Sequence, residues 1–234
     1  MRRVEKSTKL DLERIVFIGR TLEEYLDMFS LSEEELQGKK ILDCPAGACS
    51  FTAVGNELGL DVTACDIAYD HSGEDLKYKG LQDIEHAMKH MEKAKNNYKW
   101  DYFNNVEGLR KHRLRALHDC TNDMRKSSER YIPVTLPLLP FKNAEFDLLL
   151  SAHFLFMYAD RLDYHFHIET LHELLRVTKE EVRIFPLVDL EGERYEHLDE
   201  IISYLADNGC TVEEVKVPYE FQTNANSMLK IRKG

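Results

Sequence analysis

The sequence predicts an α/β protein with a doubly wound, mostly parallel seven-stranded sheet. Three observations support this fold class. Short apolar segments alternate along the chain with segments of helical periodicity. The first two strand-like segments each end in an aspartate and are separated by one helix-like segment with short links. A strand, a helix and a second strand linked in this way form a right-handed parallel unit, and its repetition builds a doubly wound sheet.

Residues 10–37, before the first strand, are predicted to be helical. The segment "RTLEEYLDMF" places four apolar side chains at three- and four-residue spacing: Leu22, Tyr25, Leu26 and Phe29. In the following "LSEEELQG", Ser32 and Glu35 match a capping box, and Gly38 is a plausible helix stop. We therefore expect a short second helix just before the first strand.

The core strands and helices follow in regular order. "KILDC" is the first strand, and the helix "FTAVGNELG" follows, with Phe51, Val54 and Leu58 on one stripe and Gly59 as its stop. "DVTACD" is the second strand. The later segments are strands at 145–156 and 181–190, helices at 162–177 and 194–209, and closing strands at 210–221 and 226–233. Gly209 is the predicted stop of the last helix.

Residues 67–130 interrupt this alternation and are predicted to be a helical cap inserted into the core. A crossover between neighbouring parallel strands needs roughly a dozen residues, and this one has many more. One predicted helical face carries Ile84, Ala87, Met88, Met91, Ala94 and Tyr98. Two questions stay open. The first is whether the aromatic group Tyr98, Trp100, Tyr102 and Phe103 lines a pocket or forms its own small core. The second is whether the basic run 110–130 attracts an acidic substrate or pairs with the acidic remainder of the chain. The predicted organisation is an N-terminal helical lid at 1–38 and a core at 39–234 that contains this cap.

Composition limits the classes of function. The formal net charge of −11 repels polyanions, so nucleic acid is disfavoured as the main substrate. No apolar run approaches the length that spans a bilayer, and the first 14 residues contain no apolar signal core. The five cysteines include no CxxC pair, which favours reduced thiols. These features predict a cytoplasmic protein without membrane contact.

The predicted ligand-binding edge lies at the carboxyl ends of the strands. In an open parallel sheet, ligands bind there, where the strand order reverses. Residues 43–50 and Asp66 follow the first two strands, residues 135–141 lie before or at the third strand, and residues 151–156 end the fourth. A carboxylate at the position of Asp66 can accept both hydroxyls of a ribose. A strand-ending aspartate also serves as a helix cap or turn former, so this residue alone does not decide the ligand.

The loop "ILDCPAGACSF" resembles the first motif of the class I S-adenosylmethionine-dependent methyltransferases, a strand followed by Asp-x-Gly-x-Gly-x-Gly. Asp43 and Gly47 match that motif, whereas Pro45 and Cys49 replace its first and third glycines. Asp66 matches the family's ribose-binding acid. The segment leading into the fourth strand is also similar to the family, through Pro140, Phe141, Phe146 and Asp147. The resemblance covers residues 38–66 and 131–234, and it implies a Rossmann-like methyltransferase fold with N-terminal helices.

The resemblance implies S-adenosyl-L-methionine as the cofactor. The expected binding residues are Arg20, Asp43, Pro45, Ala46, Gly47, Asp66, Ile67, Thr135, Leu136 and Ser151. Arg20 is expected to meet the donor's carboxylate, or else to be a surface residue. Thr135 stands where the family often has an acid for the adenine amino group. Pro45 has no amide donor. A donor without a pyrophosphate does not need the full dinucleotide fingerprint, which favours this donor over NAD.

Two residues after the fourth strand are candidate general bases, His153 and Tyr158. A base is needed only where the acceptor atom carries a proton of high pKa, since positioning supplies much of the rate. His153 is alternatively a packed core histidine. His165, His167 and His172 are expected to lie on a solvated helix surface, and no metal site is predicted.

The predicted function is therefore methyl transfer to a small-molecule acceptor that the sequence does not identify. Two alternatives remain. One keeps the fold and changes the cofactor, giving a nucleotide-dependent oxidoreductase. The other is a non-catalytic binding protein of the same fold, which the missing adenine acid and the two missing glycines favour. The sequence does not predict an oligomeric state.

Overall fold

A computed structural model describes residues 16–234. Residues 1–15, which include the start of the predicted helical segment 10–37, lie outside the described residues. The strands are β1 (Lys40–Asp43), β2 (Asp61–Asp66), β3 (Tyr131–Pro133), β4 (Phe146–Ala152), β5 (Thr178–Phe185), β6 (Cys210–Lys216) and β7 (Ser227–Lys233). The helices are α1 (Leu22–Met28), α2 (Glu33–Leu36), α3 (Phe51–Glu57), α4 (Gly73–Lys93), α5 (Val106–Lys126), α6 (Tyr164–Val177) and α7 (Leu198–Asp207).

The seven strands form one sheet in the order β3-β2-β1-β4-β5-β7-β6. Strands β1 to β5 pair in parallel, and β7 runs antiparallel to both of its neighbours. This confirms the predicted doubly wound, mostly parallel seven-stranded sheet. The strand order reverses between β1 and β4, where Asp43 lies beside Leu150. The carboxyl ends of these strands therefore mark the expected ligand edge.

Helices cover both faces of the sheet and bury two apolar clusters. One face packs against α1, α3, α4 and α5, with buried side chains such as Phe51, Leu76 and Leu117. The other face packs against α6 and α7 through residues such as Leu171 and Ile201. Within residues 16–234, no helix is long and apolar enough to cross a membrane.

The N-terminal prediction was wrong in part, because residues 16–21 are not helical. Their backbone is held by tertiary contacts instead. Phe17 N donates to Asp83 Oδ2 at 2.8 Å, and Arg20 N donates to Cys49 Sγ at 3.2 Å. The segment passes so close to the loop after β1 that a Cβ on Gly19 would lie 1.9 Å from Ala48 O. These backbone donors are bonded to distant parts of the protein instead of to a helix, and α1 begins only after this segment.

Two short helices follow, and both begin with a capping box. The predicted box of Ser32 and Glu35 is present at α2, and Thr21 with Glu24 forms another at α1. The predicted stops Gly38, Gly59 and Gly209 all have positive φ angles, of 74°, 81° and 84°.

Two further local predictions were wrong. Leu58 does not join the buried stripe of α3, since the helix ends at Glu57 and Leu58 is 45% exposed. The third strand is β3, so residues 135–141 follow it rather than forming it or preceding it. Residues 134–145 contain no helix, and they lead directly from β3 to β4.

The predicted insertion consists mainly of α4 and α5, which pack against each other. Their contact is close at Gly80, where a Cβ would lie 2.4 Å from Leu117 Cδ1.

The basic run 110–130 pairs with the acidic remainder of the chain rather than staying unpaired. Its ion pairs are Arg110–Glu85, Arg113–Glu24, Arg115–Glu23, Arg125–Glu74 and Arg130–Asp61.

A buried ion pair connects α1, α5 and the loop between β6 and β7. Arg113 Nη1 donates to Glu24 Oε1 at 2.9 Å and to Oε2 at 2.7 Å, and Tyr219 Oη donates to Glu24 Oε1 at 2.9 Å. The capping bond from Thr21 N, at 3.0 Å, also ends on this carboxylate. Burial alone would raise the pKa of Glu24, but the Arg113 guanidinium outweighs it and lowers that pKa. The carboxylate therefore stays charged and fully hydrogen-bonded in the interior.

Replacing Arg113 should destabilise the protein strongly, because Glu24 would keep a buried charge without its counter-ion. We expect Arg113→Met to lower the free energy of unfolding by about 3–5 kcal/mol. The double variant Arg113→Met/Glu24→Gln should recover most of that loss, since glutamine still caps α1 and accepts from Tyr219. Urea unfolding followed by circular dichroism measures both changes.

The adjacent pair Arg115–Glu23 is a matched control, since it joins the same two helices at the surface. Its side chains are 49% and 57% exposed, against 4% and 0% for Arg113 and Glu24. Arg115→Met should therefore cost less than about 1 kcal/mol. Equal stability of the two arginine variants would contradict a structural role for the buried pair.

Candidate active site

The loop between β1 and α3 has the backbone conformation of a tight turn whose amides are already used. Gly47 has a φ of 56°, in the left-handed region that suits glycine. Four of the loop's amides donate within the protein: Ala46 N to Cys65 O, Gly47 N to Asp66 Oδ2, Cys49 N to Ala46 O and Ser50 N to Arg20 O. These four groups are therefore not available to cradle a phosphate.

Asp66 lies at the carboxyl end of β2 and connects to this loop. Its Oδ2 accepts from Gly47 N at 2.9 Å, and its Oδ1 accepts from Ala68 N at 2.8 Å. Burial raises the pKa of Asp66, although the two amide bonds oppose the shift. Each carboxylate oxygen has two lone pairs, so each keeps one acceptor position for a ligand hydroxyl.

Asp43 lies beneath the loop and does not line a cavity. It is fully buried, and its Oδ1 accepts from Tyr25 Oη at 2.9 Å. Its Oδ2 is buried without a hydrogen-bond partner. Burial raises the pKa of Asp43 well above its ordinary value, although the bond from Tyr25 opposes the shift. Asp43 therefore contacts α1, through Tyr25, and does not face either cavity.

Two adjoining cavities open at the carboxyl edge of the sheet. The first has a volume of about 280 Å³ and the second a volume of about 320 Å³. Both are lined by Val16, Pro45, Asp66, Phe154 and Tyr158. These shared residues mark the junction between the cavities, and Asp66 places a carboxylate there.

The second cavity is mainly apolar and has three predicted residues in its lining besides those it shares with the first cavity. Ile67, Thr135 and Leu136 line it. The other walls are Val134, Phe154, Leu162 and Phe166, with Arg161 and Tyr158 as polar groups. Asp66 is its sole acidic lining residue. Its walls suit a flat, mainly apolar ring.

Arg20 lines the first cavity, together with Pro45, Ala46 and Gly47. Its Nε is buried without a hydrogen-bond partner. No acidic side chain within residues 16–234 forms an ion pair with its guanidinium. A buried donor without a partner is costly, which indicates that a ligand acceptor belongs beside it.

The two candidate bases also line the first cavity. His153 has a φ of 54°, an uncommon conformation for a residue other than glycine. Its Nδ1 is buried without a partner. Burial and the nearby charges of Arg20 and Arg113 lower the pKa of His153 well below its ordinary value, so the ring is neutral. Tyr158 lies at the junction, and Arg161 stacks over its ring with a distance of 5.1 Å from Cζ to the centroid.

Ser151 is the one predicted residue, besides Asp43, that lines neither cavity. It is buried within β4, beside Ile184 of β5. The histidines of α6 also lie elsewhere. His165 faces Glu169 at the surface, and His172 is hydrogen-bonded to Tyr204. The surface prediction was wrong for His167, which is a core residue hydrogen-bonded to Leu155 O. No three His, Cys, Asp or Glu residues in 16–234 could hold a metal ion together.

The predicted site residues did not include those of the far wall of the first cavity, although part of this wall comes from the predicted cap. This wall comes from α4, α5 and the loop after β6: Ala87, Met88, Met91, Leu109, Arg113, Tyr219 and Phe221. Tyr98 also lines the cavity, and its ring stacks on Phe221 with centroids 4.8 Å apart. Phe103 is buried and packs edge-on against Phe221. Of the aromatic group, Tyr98 lines the cavity, whereas Trp100, Tyr102 and Phe103 pack on Tyr219 and Phe221 of the β6–β7 loop and form a core with it.

Comparisons with known proteins agree with this architecture. No protein-family model matches the chain. The chain is 39% identical over 225 residues to the uncharacterized protein MJ0045 of Methanocaldococcus jannaschii, which covers 96% of this chain and 99% of that protein.

Among solved structures, magnesium protoporphyrin IX methyltransferase from Synechocystis PCC 6803 superposes with a TM-score of 0.50 in complexes with SAM and with SAH. The sequence identities are 13% and 12%. Each alignment covers 91% of this chain, and 78% and 82% of the two compared chains. At such identities the likeness shows the fold. The chain thus has the fold of the class I S-adenosylmethionine-dependent methyltransferases, and it belongs to the same family as the protein MJ0045 of M. jannaschii.

Proposed function

We propose that this protein transfers a methyl group from S-adenosyl-L-methionine to a small-molecule acceptor. One observation carries the proposal: the Asp66 carboxylate stands at the junction of the second, apolar cavity and the first cavity, which is lined by Arg20, whose buried Nε has no hydrogen-bond partner. The donor has a ring, a diol and a charged amino-acid end in that order. The fold relative from Synechocystis, whose structures hold SAM and SAH, supports the same donor.

The residues present fit the donor from end to end. The adenine ring belongs in the second cavity, between Ile67, Leu136 and Phe154. Thr135 offers a hydroxyl there instead of a carboxylate, which makes a weaker hydrogen bond to the adenine amino group. Asp66 accepts the ribose hydroxyls, and Arg20 pairs with the carboxylate of the methionine end. Pro45 and Ala46 form part of the cavity wall. Asp43 and Ser151 line neither cavity, so we assign them no contact with the donor.

A dinucleotide fits this site less well. A pyrophosphate is held by free backbone amides at the start of the helix after the first strand. Here the amides of Ala46, Gly47, Cys49 and Ser50 are already bonded, and Pro45 has none. The oxidoreductase alternative is therefore not favoured. The non-catalytic alternative shares this fold and this site, and measured methyl transfer distinguishes the two.

The bound donor supplies an electrophilic methyl group on a sulfonium, which leaves as a neutral thioether. The chain's own task is to hold the acceptor in line with that methyl group and to exclude water. His153 is neutral, so its imidazole nitrogen can take the proton that the acceptor atom loses. Tyr158, at the junction of the two cavities, can hydrogen-bond the same atom.

We also propose that residues 67–130 form a cap over the acceptor, with residues 16–38 as a lid on a core of residues 39–234. The support is that Met88, Met91 and Tyr98 line the cavity that also contains Gly47. A cavity of this size favours a small molecule over a macromolecule. The proposed location is the cytoplasm, which agrees with five cysteines that form no disulfide.

Donor binding is the first test of this function. Isothermal titration should show binding of S-adenosylhomocysteine and no binding of NAD or NADP. Asp66→Asn should weaken S-adenosylhomocysteine by roughly ten- to a hundredfold, because charge-assisted bonds of about 1.5–3 kcal/mol become neutral ones.

The acid at the other end of β2 provides the control for that variant. Asp61 is exposed and pairs with Arg130 at the surface, so Asp61→Asn should leave the affinity unchanged. Absence of heat with S-adenosylhomocysteine would contradict the proposed donor. Equal affinities of the two asparagine variants would contradict the role of Asp66.

The role of Arg20 can be separated from the rest of the site with two ligands. S-adenosylhomocysteine carries the amino-acid carboxylate, and 5′-methylthioadenosine lacks it. Arg20→Met should weaken the first ligand by roughly tenfold or more and leave the second nearly unchanged. Arg115→Met is the surface control. A variant that loses both ligands equally would show that Arg20 acts on the loop rather than on the carboxylate.

The protonation of His153 gives a prediction about pH. Its pKa is lowered by burial and by Arg20 and Arg113, so the imidazole should stay neutral at pH 6, below the ordinary value of about 6.5. Arg20→Met removes a nearby positive charge and should raise that pKa. Carbon-13 NMR of the histidine rings from pH 5 to 8 measures it, with His153→Gln to assign the signal. Titration of His153 above pH 6.5 would contradict a neutral base.

A further inference from the structure

The walls of the first cavity differ in character between the parts of the chain that supply them. The segment before α1 contributes Arg20, and the residue after β4 contributes His153. The cap contributes mainly apolar residues, namely Ala87, Met88, Met91, Tyr98 and Leu109, with Arg113 as its charged residue, and Phe221 lines the same cavity. Methionine side chains are flexible and polarisable, and they adapt to varied apolar ligands. This part of the cavity is left for the acceptor when the donor occupies the junction.

Formal charges in this cavity are few, and each already has a partner or an assigned role. Arg20, Asp66 and Arg113 are the charged residues that line it. Arg113 forms a buried ion pair with Glu24, so the pair is neutral overall. Arg20 and Asp66 belong to the donor in the proposed function, on which this inference rests.

The polar groups of the far wall are also largely used. Gln222 Nε2 donates to Asp189 O and Leu190 O, and Tyr219 donates to Glu24. His153 is neutral because burial and two nearby cations disfavour its charged form. A charged acceptor would therefore enter a chamber that offers it no counter-ion, and burying an unpaired charge is costly.

The surroundings of the chamber disfavour an anion in particular. A neighbouring cleft shares Met157 and Leu190 with the first cavity. Five acidic side chains line that cleft: Asp160, Asp189, Glu191, Glu193 and Glu196. Its one basic residue, Arg194, is paired with Asp199 and Glu214. Negative potential beside the cavity lowers the local concentration of anionic molecules.

We infer that the acceptor is an uncharged, mainly apolar molecule, with its nucleophilic atom directed at His153. A phenol, or a heteroaromatic ring with an N–H, has this chemistry. The apolar body would lie against Met88, Met91 and Leu109, and the polar atom would point towards the junction. Recognition by hydrophobic burial with one polar contact is the usual arrangement of a small-molecule site.

Three probes with the same ring system test this inference: 2-naphthol, 2-naphthoate and 2-naphthylmethylammonium. Each is titrated at pH 7 into protein saturated with S-adenosylhomocysteine, and also into donor-free protein, by isothermal calorimetry. We expect 2-naphthol to bind at least about tenfold more tightly than either charged probe, because only the charged probes lose hydration without gaining a counter-ion.

Two variants of α4 locate the binding. Met91→Lys places a cation in the cavity wall and should shift the preference towards 2-naphthoate. Leu81→Lys is the control, since Leu81 is 41% exposed on the same helix and lines no part of this cavity. It should leave the order of affinities unchanged.

The outcomes separate this inference from the proposed function. Tightest binding of a charged probe, equal binding of all three or no binding of 2-naphthol would overturn the uncharged acceptor. So would a shift in preference caused by Leu81→Lys but not by Met91→Lys. Failure of S-adenosylhomocysteine to bind would contradict the donor instead, and the titrations into donor-free protein would still rank the probes.

Discussion

The buried pair of Glu24 and Arg113 joins three segments that are far apart in sequence: α1, α5 and the loop after β6. A carboxylate inside a protein is tolerated only where its lone pairs are filled, and here an arginine, a tyrosine and a backbone amide fill them. This requirement fixes where α1 and α5 stand relative to the sheet. Arg113 and Tyr219 also line the first cavity, so their bonds to Glu24 hold part of the cavity wall in position.

The substituted loop after β1 has a physical explanation in its hydrogen bonds. A dinucleotide loop keeps amides free for phosphate and uses glycines to admit it. In this chain the amide of Gly47 is bonded to Asp66, and that of Ser50 is bonded to the N-terminal segment at Arg20 O. Pro45 and Cys49 are therefore compatible with the loop, because nothing needs to approach those positions as closely as a pyrophosphate does. The loop acts as a wall that holds Asp66 in place.

The two cavities divide the site into functions that different parts of the chain supply. Strand ends provide the polar groups at the junction, and the segment after β3 provides the apolar walls of the second cavity. The cap and the β6–β7 loop close the first cavity, where Tyr98 stacks on Phe221 and Lys99 N donates to Phe221 O at 2.7 Å. The parallel sheet thus supplies the side of the site that we assign to the donor, whereas α4 and α5 supply the side that we assign to the acceptor.

The sequence by itself determined the sheet, its parallel units and the position of the ligand edge. Those features follow from local periodicity and from acids at strand ends, which act over a few residues. It also located Asp66, Gly47 and the cap.

Only the tertiary structure decided what the remaining groups do. Three results depend on residues brought together from distant positions. They are the lack of an ion-pair partner for Arg20 within residues 16–234, the pairing of the basic run of α5, and the position of Ser151 away from the cavity. The pairing of Glu24 with Arg113 spans 89 positions and leaves no local pattern. Burial and distance create these contacts, and neither is encoded in the spacing of residues along one helix or strand.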